Sequence, residues 1–576
     1  MIIQALVKYY ESLLKQQKTV ARGWCRAKVA FALELSEDGS LKGIIPLKQS
    51  EERGKKTVWL PINMTVPQMV ARSSGIAANF LCDNSKYLLG IDSEGSQGRV
   101  ADCFAAAREK HLAILVETDS SLSNGVKNFF ESWDPSLAWE NPALTEVWEE
   151  ITDGSNLVFC MEGDYAHEDE AIIRAWEHFL TQKSDGLEGI CLATGRREEI
   201  ARIHTVIRGV RDAQSSGAAL VSFNAPAFES YGKEQSYNAP VGEYAAFAYT
   251  TALNYLLSQK EYVFFLGDTT VVCWAENGEE IYQKAFGWFA EPKADQQKFV
   301  HHVLKNISSG KPVDIDGQVI DENQPFYVLG LAPNAARLSV RFFYRNSFGN
   351  IVKNVNAHYE RMKIVKPAWE QREYMGIWSM VQETVHPNAR DKKAVPNMAA
   401  NVLRAILSGS RYPANLYINT LMRIRAEQGK GKITWGRAGI IKAYLILNGQ
   451  LAKGDDYVEI NEETKDKAYV LGKLFAVLEA VQEAANPGIN ATIRDRYFNA
   501  ACATPAMVFP ILMRLKNSHI RKLENPGARI YYEQQITKLA CLLESFPSRL
   551  TLDEQGRFIL GYYHGVQKRF TKKEEA

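Results

Sequence analysis

Residues 28–47, "KVAFALELSEDGSLKGIIPL", read as two alternating strands joined at Asp38-Gly39. Asp-Gly is a hairpin signal because glycine supplies the left-handed backbone that a tight reversal demands. The hairpin places a sheet near the N-terminus, and the patterns around it extend that reading. An amphipathic helix precedes it in "MIIQALVKYYESL", and "NLVFCM" (156–161), "GICLATG" (189–195) and "AALVSFN" (218–224) read as further strands. Helical patterns separate them, "EDEAIIRAWEHFLTQK" (168–183) and "EEIARIHTVIRGV" (198–210), so the arrangement is locally α/β. "EYVFFLGDTTVVCWA" (261–275) and "ARLSVRFFYR" (336–345) are strand-like again. From about residue 375 helical spacing dominates. "AYVLGKLFAVLEAVQEAA" repeats Val470, Leu474, Val477, Leu478 and Val481 and stops at Asn486-Pro487-Gly488. The expected fold class is therefore α+β, a mixed α/β N-terminal two-thirds followed by an all-helical bundle. Its divisions are expected at 1–375, 376–454 and 455–576, the second a basic helical segment with a polar linker.

With 576 residues, 46% of them hydrophobic, the chain can bury sizeable cores. Lysine and glutamate interrupt the first apolar stretch, and no run approaches the roughly 20 apolar residues of a membrane span. A cytoplasmic protein is the expectation. The eight cysteines are scattered singly with no CxxC, which fits free thiols better than zinc or a disulfide scaffold. The net charge of +1 conceals segregation: residues 131–170 hold twelve Asp or Glu and no Lys or Arg. Residues 401–450 hold eight Lys or Arg against Glu427 alone, interleaved with Tyr412, Tyr417 and Trp435. Cations mixed with aromatics suit a single nucleic-acid strand.

No phosphate-binding loop, dinucleotide fingerprint, HExxH or nucleophile elbow is present, so the common catalytic readings lack their parts. No catalytic residue, metal site or cofactor is assigned. The best metal candidate is the set Glu162, Asp164, His167, Glu168, Asp169 and Glu170, which reads more simply as an acidic helix start. An alternative reading makes those carboxylates a metal-dependent nucleic-acid hydrolase.

Three stretches look built for contact. Residues 67–90 gather Gln68, Arg72, Ser73, Ser74, Asn79, Asn84 and Lys86 around Gly75, donors and acceptors suited to base edges and phosphates, or simply to a capped turn. In 336–345 the strand period sends Arg337, Ser339, Arg341, Phe343 and Arg345 to one face. Residues 224–238, "NAPAFESYGKEQSYN", offer Asn224, Tyr231, Gln235 and Asn238 as polar and stacking groups before a helix with Tyr249, Ala252, Leu253 and Leu256 on one face. His204 reads as a packed histidine or a phosphate contact.

The succession "ARSSGIAANFLCDNSKYLLG", "ICLATG", "ARIHTVIRGVRDAQSSGAALVSFN", "AFESYGKEQSYNAPVGEYAAFAYTTALNYLL" and "NAARLSVRFFYRNSFG" resembles the large subunit of the type I-C CRISPR Cascade complex, in order and along the whole chain. That resemblance implies a non-catalytic subunit of an RNA-guided surveillance complex. It would inspect the protospacer-adjacent motif on duplex DNA, help open the duplex and support recruitment of the helicase-nuclease. The implied partners are CRISPR RNA, target double-stranded DNA, the backbone and handle-processing subunits, and a small subunit that is the chain's own C-terminal segment translated separately. The helical bundle at 455–576 then resembles a Cascade small subunit, with a non-AUG start expected near Val458. Motif reading falls to Gln68, Asn79 and Asn84, with Arg72 and Lys86 as phosphate anchors and Ser73 and Ser74 beside them. Guide-handle or subunit contact falls to Asn224, Tyr231, Gln235, Asn238, Arg337 and Arg341. DNA backbone contact falls to Arg404, Arg423, Arg425, Lys430, Arg494, Arg496, Arg514 and Lys516. A purely structural subunit without base readout is the remaining alternative.

Overall fold

The computed structural model describes residues 1–570 except 54–55, 71–74, 94–97, 183–185, 310, 316, 391–393, 396, 450 and 452–456. The fold is mixed α+β with a helical C-terminal region. The chain divides into two compact units, residues 3–205 with 222–251 and residues 206–221 with 252–576, the first two residues aside. The sequence-based boundaries at 375 and 454 both fall inside the second unit.

The hairpin forms. Trp24–Leu35 and Leu41–Pro46 pair antiparallel from Phe31↔Pro46 to Leu35↔Leu41. In the turn Asp38 Oδ1 accepts from Ser36 Oγ at 2.7 Å and from Ser40 N at 3.0 Å. Gly39 has φ +87°, and a Cβ there would lie 2.4 Å from Asn128 C and Phe129 N of the helix Ser121–Ser132. Glycine is thus required both for the backbone and for the approach. The sheet runs Lys48–Arg53, Lys56–Pro67, Trp24–Leu35, Asn156–Met161, Cys82–Asn84. Its one parallel pairing among the described residues joins Trp24–Leu35 to Asn156–Met161, and the helices Arg99–Leu115 and Ser121–Ser132 lie in that crossover. Val29 to Leu33 are each no more than 1% exposed, which explains a nearly continuous apolar run in a strand covered on both faces.

Two expectations fail between residues 189 and 224. The helix expected over 198–210 does not form. Arg197–Glu199 instead pairs with Glu188–Ile190, and Ala201 N donates to Val241 O at 2.9 Å. The helical spacing of Ile200, Ile203, Ile207 and Val210 is misleading, because Ile203 is 72% exposed while the other three are buried. "AALVSFN" forms only isolated bridges, Ala218 with Ile207 and Ala219 with Arg337. The local α/β arrangement is therefore absent there.

The second unit holds a four-stranded antiparallel sheet, Phe264–Leu266, Thr269–Ala275, Pro325–Asn334, Arg337–Ser347. The expected single arginine face on the last strand is not built. Leu331 pairs with Val340 but Gly330 pairs with Phe342, leaving Arg341 as the extra residue of a bulge. Opposed residues share a face, so the bulge reverses the alternation. Phe343 and Arg345 join Leu338, while Arg337 and Ser339 lie on the face of Phe342. On one side Trp274 stacks on Tyr327 (5.2 Å) and Tyr327 on Phe343 (6.0 Å), with the Arg345 guanidinium 5.7 Å from the Tyr327 ring. The other side, with Val271, Cys273, Phe326, Val328 and Phe342, opens a core that continues without a break through the helices to Tyr563. No described helix is long and apolar enough to cross a membrane.

Candidate nucleic-acid interface

The segment 68–81 joins the strands Lys56–Pro67 and Cys82–Asn84, which have two other strands between them in the sheet. Its first residue is anchored through Gln68 N to Gly23 O at 2.7 Å. Its far end is held by buried groups. Asn79 Oδ1 accepts from Val70 N at 2.8 Å, closing the neck, and Asn79 N donates to Asp83 Oδ2 at 2.9 Å. Leu81, at φ +58°, donates its N–H to His111 Nε2 at 2.8 Å, while His111 Nδ1 donates to Ala107 O at 2.7 Å. That pattern requires a neutral imidazole, and burial pushes its pKa down to about 3. Gln68, Val70, Gly75 and Ile76 are exposed. Arg72, Ser73 and Ser74 lie outside the described residues.

The structure separates the reader candidates. Gln68 is exposed, and among the described residues its amide donates to Met69 O at 3.3 Å. Asn79 is 1% exposed and committed to the neck, so it does not present its amide to a base. Asn84 caps the short helix Ser85–Leu88, its Oδ1 accepting from Lys86 N at 3.2 Å. Lys86 pairs with Asp92 at 3.3 Å and stays partly exposed.

The 224–238 loop is also internally braced. Asn238 Oδ1 accepts from Ser230 N at 2.8 Å, and its Nδ2 donates to Lys233 O (2.7 Å) and Gln235 O (2.9 Å), so this amide shapes the loop. Gln235 Oε1 accepts from Arg202 Nε at 2.8 Å, a partner the sequence did not suggest. The turn from Ser230 to Lys233 carries Tyr231 at φ +55° and Gly232 at φ +68°, and Tyr231 is fully exposed. Positive φ at both central residues is what a two-residue reversal requires, and the turn leaves the Tyr231 ring bare to solvent. Asn224 is exposed. His204 is packed, its Nδ1 2.7 Å from Tyr249 Oη, and the helix face of Tyr249, Ala252, Leu253 and Leu256 is buried as expected.

In the C-terminal helices the helix Pro505–Lys522 turns Met507, Pro510, Arg514, Asn517, Ser518 and Arg521 outward. Arg496 is exposed beside the Tyr497 ring at 5.3 Å. The family model of the CRISPR-associated protein Cas_Csd1 matches residues 6–570. The chain belongs to that family. No curated protein matches it. Membership makes it a CRISPR-associated Cascade subunit.

Within this Cas_Csd1 protein several cations of the basic stretches and of the expected contact residues are spent inside the fold. Arg437 is buried and bonds Glu427 at 2.6 and 2.8 Å, and Arg423 bonds the same carboxylate at 3.0 Å. Burial pulls the Glu427 carboxyl up, but the two guanidiniums overcome it and hold the group below its usual range. Arg494 is 6% exposed and pairs with Glu479 at 2.9 Å. Lys516 pairs with Glu533 at 3.0 Å, and Arg341 with Asp268 at 2.8 Å. Lys432 is buried against the Phe498 ring at 3.8 Å, and burial lowers its pKa to about 8. Arg404 is exposed and Arg425 half-buried, while the Lys430 side chain lies outside the described residues. Arg337 is half-buried.

The carboxylates of 162–170 do not converge. Glu162, at φ +53°, sits in the tight turn before Asp164–Tyr165, and Asp169 Oδ1 caps the following helix through Ala171 N and Ile172 N at 3.0 and 2.9 Å. His167 is buried, and burial lowers its pKa to about 4. Among the described residues no three His, Cys, Asp or Glu side chains are placed to share a metal ion.

Proposed function

We propose that this chain is the non-catalytic large subunit of a type I-C surveillance complex, reading the protospacer-adjacent motif of duplex DNA with the 68–86 segment. The observation that carries the reading is the braced loop. A reader must reach base edges without yielding, and here Gly23, Asn79, Asp83 and His111 fix both ends of a segment whose described residues Gln68, Val70, Gly75 and Ile76 are exposed. Gln68 is the described amide free to meet a base, and Arg72, Ser73 and Ser74 continue the same segment. Lys86 anchors a phosphate after leaving Asp92. Exposed Asn224 and Tyr231 contact the guide handle or a neighbouring subunit, and Arg404, Arg496 and Arg514 line a strand path. Helping the duplex open and supporting the helicase-nuclease complete the role. Guide pairing reads the remaining sequence, so the protein needs only this short readout.

The test is binding of the assembled complex to duplexes with correct and altered adjacent motifs. Gln68→Ala is expected to weaken the correct motif by about 1–3 kcal/mol and altered motifs much less. Equal losses on every duplex would return the segment to a structural role.

A further inference from the structure

A second candidate site lies in the C-terminal helices, lined by none of the residues assigned above. The helices Lys467–Ala485, Pro526–Ala540 and Leu552–Lys568 enclose a half-open cavity of about 510 Å³, within the size range of small-ligand sites. Its floor is apolar, formed by Ile460, Ala476, Val477, Ala480 and Leu539. Its wall is aromatic: Tyr531 and Tyr532 meet edge to face at 5.4 Å, and Tyr531 is 53% exposed.

The charges around it are unbalanced. Lys473, Lys538, Lys568 and Arg569 line the cavity with Glu462, and Glu483 stands behind Arg569. Lys473, with a side chain only 4% exposed, donates to Asn461 O and Glu462 Oε2, each at 2.9 Å. Two of its three donors are thereby used. Lys568 bonds the same carboxylate, and Arg569 reaches Glu483 at 2.6 Å. Lys538 is exposed at the mouth. Four cations against the two carboxylates Glu462 and Glu483 leave the rim positive, which an anion in the cavity balances. An apolar floor, a stacking ring and a cationic rim together match a base with its phosphate, and no simpler anion uses all three.

We propose that this cavity binds one nucleoside phosphate unit, its base against Tyr531 and its phosphate among Lys538, Lys568 and Arg569. The unit belongs either to a single DNA strand or to a free nucleotide. The full-length chain is tested with an oligothymidylate carrying one 4-thiothymidine, photo-cross-linked and mapped by mass spectrometry, with thymidine monophosphate as competitor. No adjacent motif is present, so the outcome is independent of duplex reading. The expected adduct lies within 526–540. Tyr531→Ala and Lys538→Glu, both at the surface, should each lower its yield about ten-fold, as removal of a stacked base does. Gln535→Trp, which fills the mouth, should abolish it with the helical circular dichroism unchanged. Competition by millimolar thymidine monophosphate would assign the free nucleotide, and its failure to compete the strand. An adduct elsewhere, or a yield indifferent to all three substitutions, would overturn the site.

Discussion

His111 shows how much a single buried side chain decides here. It accepts from the strained Leu81 N–H while stacked at 4.4 Å on Phe130, so one ring fills the core and satisfies the loop neck. His111→Phe keeps the packing but strands the Leu81 N–H, and should cost about 1–3 kcal/mol in urea unfolding. The same variant should weaken adjacent-motif binding by the assembled complex, because the neck no longer fixes Gln68. Asn84 poses a different problem, since its cap and a base contact use the same amide. Asn84→Ala loses the cap, at about 0.5–2 kcal/mol of stability, whereas Asn84→Asp keeps the acceptor and loses the amide donors. If Asn84 reads a base, Asn84→Asp is stable yet loses motif discrimination in the binding assay. If it only caps, Asn84→Asp behaves as the parent in both measurements. The sequence displayed these amides but not their partners, because burial of Asn79 depends on Val70 and Asp83 being folded around it.

At the scale of elements, what the sequence revealed followed local geometry and what it hid followed pairing. The Asp38-Gly39 hairpin, the strands Asn156–Met161 and Thr269–Ala275 and the helix Lys467–Ala485 all stand where period and turn chemistry placed them. The 198–210 segment was misread because backbone hydrogen bonds to Leu187 and Val241 outweighed an apolar spacing that a helix also satisfies. The arginine face was misread because a bulge at Arg341 is a property of two strands and leaves no mark in one. The partners of some cations in the basic stretches were hidden for the same reason: they lie far along the chain or in another element, as Glu479 does for Arg494. A salt titration separates the two classes of cation. Replacing Arg404, Arg496 and Arg514 together should lower the log–log salt slope of duplex binding by roughly 0.7–0.9 for each phosphate no longer neutralised. Arg423→Ala and Arg494→Ala should lower the unfolding midpoint instead, because each leaves a shielded carboxylate short of a partner.

Over the whole molecule, two consequences follow from burial shared between distant segments. Burial lowers the pKa of His111, His358 and His564 to about 3 and of His167 and His204 to about 4. Unfolded histidines take up a proton near pH 6.5, so below that pH the unfolded state binds more protons and stability falls toward pH 4. A urea midpoint at pH 5 equal to that at pH 7.5 would contradict this. The second consequence concerns separate production of the C-terminal segment. The helices Lys467–Ala485 and Leu552–Lys568 meet at glycines, since a Cβ on Gly472 or Gly561 would lie 2.0 or 2.1 Å from the other helix's Phe558 O or Tyr469 O. That packing is internal to 458–576 and supports an independent fold. The same segment leans on what precedes it: Tyr417 Oη donates to Leu552 O and Tyr563 Oη to Val365 O, both at 2.8 Å, and a Cβ on Gly556 would lie 2.1 Å from Tyr417 Oη. A fragment starting near Val458 therefore keeps its helix pair but bares the side that covers Tyr417 and Ile441. Expressed alone, it should be helical by circular dichroism, melt below the full chain and bind a hydrophobic dye, and Tyr563→Ser should reduce dye binding without unfolding it. Mass spectrometry of the complex purified from the unmodified gene should show this fragment of roughly 120 residues beside the full chain, the size of a small domain. A fragment that is a random coil alone, or a complex holding only full-length chain, would leave the segment an integral part of the second unit.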